Sequence, residues 1–215
     1  MHLTKDIIAN KSRIERLNII NSITGIKPGN LIGTRSNETG ENLAIFSSVV
    51  HIGSSPALIG FILRPKGEVL RNTANNIQKT GYYTINHICS SIVKNAHYTS
   101  AKFAPEVSEF EQCDLTPEYR NGFSAPFVKE SPLKIGLKFI EEIPIKRNNT
   151  SLIIGEIEHV FLPENALLKN GMIDLEKLQS VGISGLNNYY KLNKLESFPF
   201  ARPNELPNFT NKANY

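Results

Sequence analysis

The chain is expected to fold as a mainly β protein, a small antiparallel barrel with short helices on its flanks. Short runs of strand length, apolar or alternating, recur between residues 30 and 185, and Gly, Pro and Asn separate them. Helical patterns between them are few and brief, and no internal repeat is present. Many short strands with few helices close most easily as a barrel.

Taken in order, residues 4–22 place Ile7, Ile14, Leu17 and Ile20 on a rough apolar face and predict a helix, which Gly25 and Pro28 end. Asn30–Thr34 reads as a first strand, and a polar turn over Arg35–Glu41 leads to a second at 42–51. Residues 57–64 read as a third strand. A short helix follows over 72–80, with Asn72 as its N-cap and Gly81 as its stop. Tyr82–His87 is rich in β-branched and aromatic residues and predicts a strand. Residues 90–111 are helical or irregular, and 112–131 form a loop carrying Pro117, Gly122 and Pro126.

Leu133, Ile135, Leu137 and Phe139 alternate with Lys134 and Lys138, which predicts a half-buried strand running toward Ile145 with the lysines on its wet face. A turn at Lys146–Asn149 joins it to a partner over 150–162. A helical turn at Asp174–Gln179 and a last short strand at Val181–Gly185 complete the body. Residues 197–215 carry Pro199, Pro203 and Pro207 without periodicity and read as a tail lying on the body or on a partner chain. The expected organisation is one domain over 1–196, including the helical extension 1–24, followed by the tail 197–215.

Composition removes several classes of function. Net charge is +4, but Lys and Arg are scattered and no basic run exceeds Lys146-Arg147, which argues against nucleic acid. Cys89 and Cys113 form no Cys-x-x-Cys pair, so no metal site is expected, and such sparse cysteine suits a reducing, cytoplasmic setting. No stretch reaches the ~18 apolar residues of a membrane helix, so no membrane partner is expected. There is no G-x-S-x-G elbow, no G-x-G-x-x-G and no Walker loop. Glu141-Glu142 and Glu156/Glu158 read as solvated strand faces rather than a glycosidase pair.

The chemistry concentrates in Asn42–Pro65, two apolar runs joined by a Gly/Ser/Pro connection. Ser47, Ser48 and His51 lie inside the first run, where packing gives no reason for them. A buried hydroxyl needs a partner, either backbone or a flat polar ligand lying on the strand. Arg64, Arg71, Thr73 and Asn76 cluster in sequence around the start of the helix at 72–80. A helix start supplies free N–H groups and a positive dipole end, an anion site made without a Gly-rich loop. His51 and His87 read as satisfied core or edge histidines, and Asn86 as a strand-end hydrogen-bonding residue.

The run NLAIFSSVVHIGSSPALIGFILRP, then RNTANNIQKTGYYTINHI, then AHYTSAKF, resembles the flavin reductase-like proteins with an FMN-binding split barrel. The matching features are Asn30–Thr34, the turn ending at Gly40, Asn42–Ala44, Ser47-Ser48, Pro56, Thr73, Asn76-Ile77, Gly81 and Asn86, across roughly residues 25 to 190. The chain departs from the family pattern in having Pro56-Ala57 for Pro-Pro and Arg71-Asn72-Thr73 for Lys-Asp-Thr.

The resemblance implies a Greek-key split barrel, usually a homodimer with flavin near the interface. It implies FMN, with FAD as the alternative, held by Phe46, Ser47, Ser48, Val49, Arg64, Thr73 and Asn76. His97, Thr99 and Ser100 would form a further wall, with Thr99 or Ser100 capping a helix toward the cofactor. Activity would pass hydride from NAD(P)H to flavin N5 and electrons onward to a second acceptor. No residue stands out as a catalyst, since the cofactor carries that chemistry. The alternatives are a flavin-binding electron carrier without NAD(P)H activity, an enzyme using flavin as a diffusible substrate, and an unrelated barrel that binds no flavin.

Overall fold

The computed structural model describes residues 1–65, 72–104 and 106–208. Two helices, α1 (Lys5–Ala9) and α2 (Arg13–Ser22), stand where one was expected. The interruption lies in the caps. Thr4 Oγ1 accepts from the Ile7 N–H, while Ser12 starts a second helix with a capping box closed by Glu15. Neither helix buries a residue.

The body is built on strands β1 (Lys27–Pro28), β2 (Asn30–Ser36), β3 (Gly40–Phe46), β4 (Val50–Ser54) and β5 (Ala57–Leu63). Helix α3 (Asn72–Thr80) and strand β6 (Tyr82–His87) follow within the predicted bounds. Next come α4 (Val93–Tyr98), α5 (Glu109–Gln112), β7 (Pro117–Glu118), β8 (Phe127–Val128), β9 (Lys134–Ile145) and β10 (Thr150–Phe161). Asn149, at φ 56°, makes the tight turn between β9 and β10. The chain continues through β11 (Val181–Ser184) and β12 (Asn188–Lys191).

Seven of these strands form one antiparallel sheet in the order β3-β2-β6-β9-β10-β5-β4. Its two outermost strands, β3 and β4, are consecutive in sequence. The single strand expected over 42–51 is therefore two, and Ser47–Val49 carry the chain from one edge of the sheet to the other. The break follows from curling. The Phe46 ring on β3 meets Phe61 on β5 at 5.0 Å, and Phe61 meets Tyr83 on β6 at 5.6 Å, so both edges converge on one core. Ala74 and Ile77 of α3 complete that core.

The opposite face of β2 and β3 buries Leu31 and Leu43 against α4, α5 and β11. One-residue alternation along β2 thus supplies both cores, Ile32 going to the first and Leu31 to the second.

Two further expectations are corrected. Lys134 is buried, not on a wet face, with its ammonium 3.1 Å from the Glu118 carboxylate and donating to the Lys129 carbonyl. The loop between α5 and β9 folds over this strand and brings Glu118 with it, so the charge is buried and paired. Asp174–Gln179 forms turns rather than a helix. Asp174 Oδ1 accepts from the Glu176 and Lys177 N–H groups, a local alternative to helical bonding. Beyond β12 the described tail leaves Leu195, Phe198, Phe200 and Leu206 between 66% and 99% exposed. Among the described residues, no helix is long and apolar enough to cross a membrane.

Burial also sets a pH dependence. His87 is pushed down from 6.5 to about 4 by desolvation. Below pH 6.5 the unfolded chain binds a proton that the native state refuses, so stability falls as pH drops toward 4 and then levels. At about 1.4 kcal/mol per unit the loss is about 3 kcal/mol. Urea midpoints measured across this window should fall in the wild type and fall measurably less in His87→Gln; equal slopes would dismiss His87 as the source.

Candidate functional site

Beside β3, the strap and the end of β5 lies a cavity of about 1010 Å³, of the size class that takes small-molecule and cofactor ligands. One wall is β3 and the strap beyond it, with Ala44, Ile45 and Phe46 presenting apolar surface and Ser47 and Ser48 presenting hydroxyls. Ser48 Oγ accepts from the Ile62 N–H at 3.1 Å and donates to the Ile62 carbonyl at 3.2 Å, substituting for a ladder rung at the end of β5. Among the described residues Ser47 Oγ has no hydrogen-bond partner, so it is available to a ligand.

The first turn of α3, with Asn72 and Thr73, forms the next part of the lining. A buried polar network fixes it there. Asn42 Nδ2 donates to Thr73 Oγ1 at 3.1 Å and to Thr34 Oγ1 at 3.3 Å, and Asn76 Nδ2 donates to Thr34 Oγ1 at 3.1 Å. Thr73 accepts in this arrangement, which leaves its own O–H to donate outward. The first-turn N–H groups of α3 lack intrahelical partners and carry the positive end of the helix dipole. Arg64 follows β5 into the same lining.

The third wall is the end of α4. His97, Thr99 and Ser100 line the cavity, but this is a helix end, not a helix start. Thr99 Oγ1 donates to the Ala96 carbonyl at 2.8 Å, and Ser100 Oγ to the His97 carbonyl at 2.7 Å. Neither hydroxyl caps a helix toward the cavity, because the last-turn carbonyls of α4 take both protons; each oxygen is left to accept. His97 Nδ1 shares a hydrogen bond with the Tyr189 hydroxyl at 3.0 Å. Burial pushes the Tyr189 phenol up to about 12.

Of the residues singled out from sequence, Phe46, Ser47, Ser48, Arg64, Thr73, His97, Thr99 and Ser100 share this one cavity. Val49 and Asn76 are outside its lining. Val49 packs on the Phe61 core, and Asn76 ties α3 to β2. Arg71 lies outside the described residues. Sequence reading missed Lys27, Glu109 and Tyr189, all of which line the cavity. Glu109 accepts the outward-facing Leu43 N–H at 2.9 Å, and burial raises its carboxyl above the usual range against the pull of that bond. Lys27 opens the two-residue strand β1, and Tyr189 lies in a polar hairpin, so neither has a local pattern to mark it.

The donor set fits a flat ring carrying a phosphate. Ala44, Ile45, Phe46 and Phe103 offer apolar surface to a ring. The unpartnered Ser47 hydroxyl, the Thr73 O–H, the start of α3 and Arg64 offer hydrogen-bond donors and positive charge to an anion.

The sequence profile described as the flavin reductase like domain matches residues 26–176. Among solved structures, a split-barrel protein assigned as a flavin reductase from Shewanella frigidimarina NCIMB 400 is 46% identical, superposes with a TM-score of 0.90, and covers 94% of this chain and 100% of its own. The flavoredoxin of Desulfovibrio vulgaris (Miyazaki F) is 26% identical with a TM-score of 0.71, covering 82% and 92% of the two chains. An uncharacterized protein of Halalkalibacterium halodurans is 28% identical over 198 residues, which is 89% of this chain and 93% of that one.

Proposed function

Because the chain belongs to the flavin reductase-like domain family and has its split-barrel fold, we propose that it is an FMN-binding oxidoreductase that takes electrons from NAD(P)H and passes them to a second acceptor. The observation that carries the reading is the single cavity in which the Ser47-Ser48 strap, the start of α3 and Arg64 meet an apolar wall. Bound FMN supplies the redox chemistry; the residues bind and orient it. Arg64, the Thr73 O–H and the first-turn N–H groups of α3 hold the phosphate. Ser47 donates to the ring or its side chain, while Ala44, Ile45 and Phe46 exclude water from one face. FMN rather than FAD is favoured because the anion donors gather at one place, as a single phosphate requires. The cytoplasm is the proposed setting, supported by two cysteines held as free thiols.

The test is visible absorbance of purified protein with one equivalent of FMN during anaerobic titration with NADH and NADPH. A protein-bound flavin band that bleaches is the expected result and identifies the preferred nucleotide. A bound band that resists both nucleotides would replace the reductase by an electron carrier reduced by another protein. Absence of any bound band, with or without turnover, would remove the bound-cofactor reading. The protein is further proposed to be a homodimer. Val50 and Ile52 on β4 and Ile143 and Ile145 on β9 stay 38–48% exposed, apolar surface that a second copy would cover. Light scattering on the same preparation should give twice 24.0 kDa.

A further inference from the structure

Among the described residues, Lys27 is a cation with no anion. It lines the same cavity as the Ser47-Ser48 strap, and its Nζ donates to the Asn21 carbonyl at 2.6 Å and the Gly185 carbonyl at 3.1 Å. These neutral acceptors take two of its three protons and leave the third for another partner. Arg64 is close enough that repulsion between the two cations adds to burial in holding the Lys27 ammonium below its ordinary value, burial being the larger cause. Among the described residues, no carboxylate lies within ion-pairing distance of either cation; the described ion pairs lie elsewhere. Two cations turned into one cavity repel each other unless an anion lies between them.

We propose that Lys27 and Arg64 form a two-sided phosphate clamp across the cavity, with Lys27 holding a nucleotide phosphate from the wall built by the end of α2 and the turn after β11. Lys27 is thereby a ligand-binding residue contributed by the segment that precedes the barrel. The carbonyls of Asn21 and Gly185 fix the direction of its ammonium, so little side-chain freedom is lost on binding. The phosphate belongs either to the flavin or to the nicotinamide dinucleotide. The flavin arm of the test rests on the function proposed above, and the pyrophosphate arm does not.

Lys27→Gln and Lys27→Arg are compared with wild type for binding of riboflavin, FMN, NADH, NADPH and inorganic pyrophosphate, by flavin fluorescence and calorimetry. Lys27→Gln should weaken pyrophosphate and at least one nucleotide by about tenfold or more, the scale of a charge-assisted hydrogen bond, and Lys27→Arg should recover most of the loss. Loss confined to FMN, with riboflavin unchanged, assigns the clamp to the flavin phosphate; loss confined to NADH or NADPH assigns it to the dinucleotide. Lys27→Gln binding every phosphate ligand as tightly as wild type overturns the proposal, even if its melting temperature drops, since that drop alone would mark Lys27 as a tie between α2 and the body. Should wild type bind no flavin, the proposed function fails, and pyrophosphate binding still decides the clamp.

Discussion

Gly33→Ala should lower stability by about 3–4 kcal/mol, a shift of about 10 °C in melting temperature. Gly33 lies on β2, where a Cβ would stand 2.3 Å from the Pro126 carbonyl oxygen and 2.6 Å from Thr84 Oγ1. The clash is with backbone, and that backbone is fixed twice. Pro126 accepts the Thr84 hydroxyl at 2.6 Å, and the Val128 N–H donates to Asn86 Oδ1 at 3.0 Å. The loop therefore cannot withdraw without breaking buried hydrogen bonds, each costing about 1 kcal/mol or more. The comparison is Gly53→Ala, whose new Cβ would come no nearer than 3.3 Å to any atom. Thermal melts of the two variants should separate clearly. Equal melting temperatures would show that the loop yields, and that the close approach at Gly33 carries no stability.

The Arg64→Ala, Thr73→Ala double variant should weaken FMN binding by about 100-fold while changing riboflavin affinity only slightly. Arg64 offers two N–H groups to a phosphate in a fork, and Thr73 offers an O–H held outward by Asn42. Charge-assisted bonds of this kind contribute about 1.5–3 kcal/mol each. Riboflavin, lacking the phosphate, is the internal control for damage to the fold, because removing the Thr73 hydroxyl also costs Asn42 a partner. Equal losses for FMN and riboflavin would mean the pair supports the cavity rather than the phosphate. Retention of FMN at wild-type affinity would move the phosphate to other residues.

The sequence carried the antiparallel barrel and most strand positions because both depend on local pattern. β6 begins and ends where its β-branched and aromatic residues place it, and α3 stops at Gly81 as expected, whereas Asn72, expected as the N-cap, is the first helical residue, and the cap position lies outside the described residues. The strap was hidden because Phe46 through Ile52 is a continuous strand-forming run. What breaks it is the meeting of two sheet edges, a property of the closed sheet and not of those seven residues. Lys134 was misplaced for a similar reason. Alternation sorts faces correctly only when nothing covers the wet one, and here Glu118 and its loop do. Thr4 and the Ser12–Glu15 box did mark two helix starts, and an apolar stripe running through both concealed them.

At the site, the small hydroxyls of the strap stood out because they are costly inside an apolar run. Asn76 was legible as polar but not as directed to Thr34, since a helix's rotation about its axis comes from tertiary packing. Lys27 gave no signal, because its distinction is the company it keeps across the fold.

The Ser48 hydroxyl joins two stretches of chain that no strand pairing connects at that point. The flavin proposed above would rest against the same joint. On the proposed function, a bound flavin would brace this joint and hold it closed. The Ile62 amide, which donates to Ser48, is the natural reporter. Its exchange with deuterated solvent should slow in step with occupancy, turning an equilibrium of binding into a clock written on a single backbone proton.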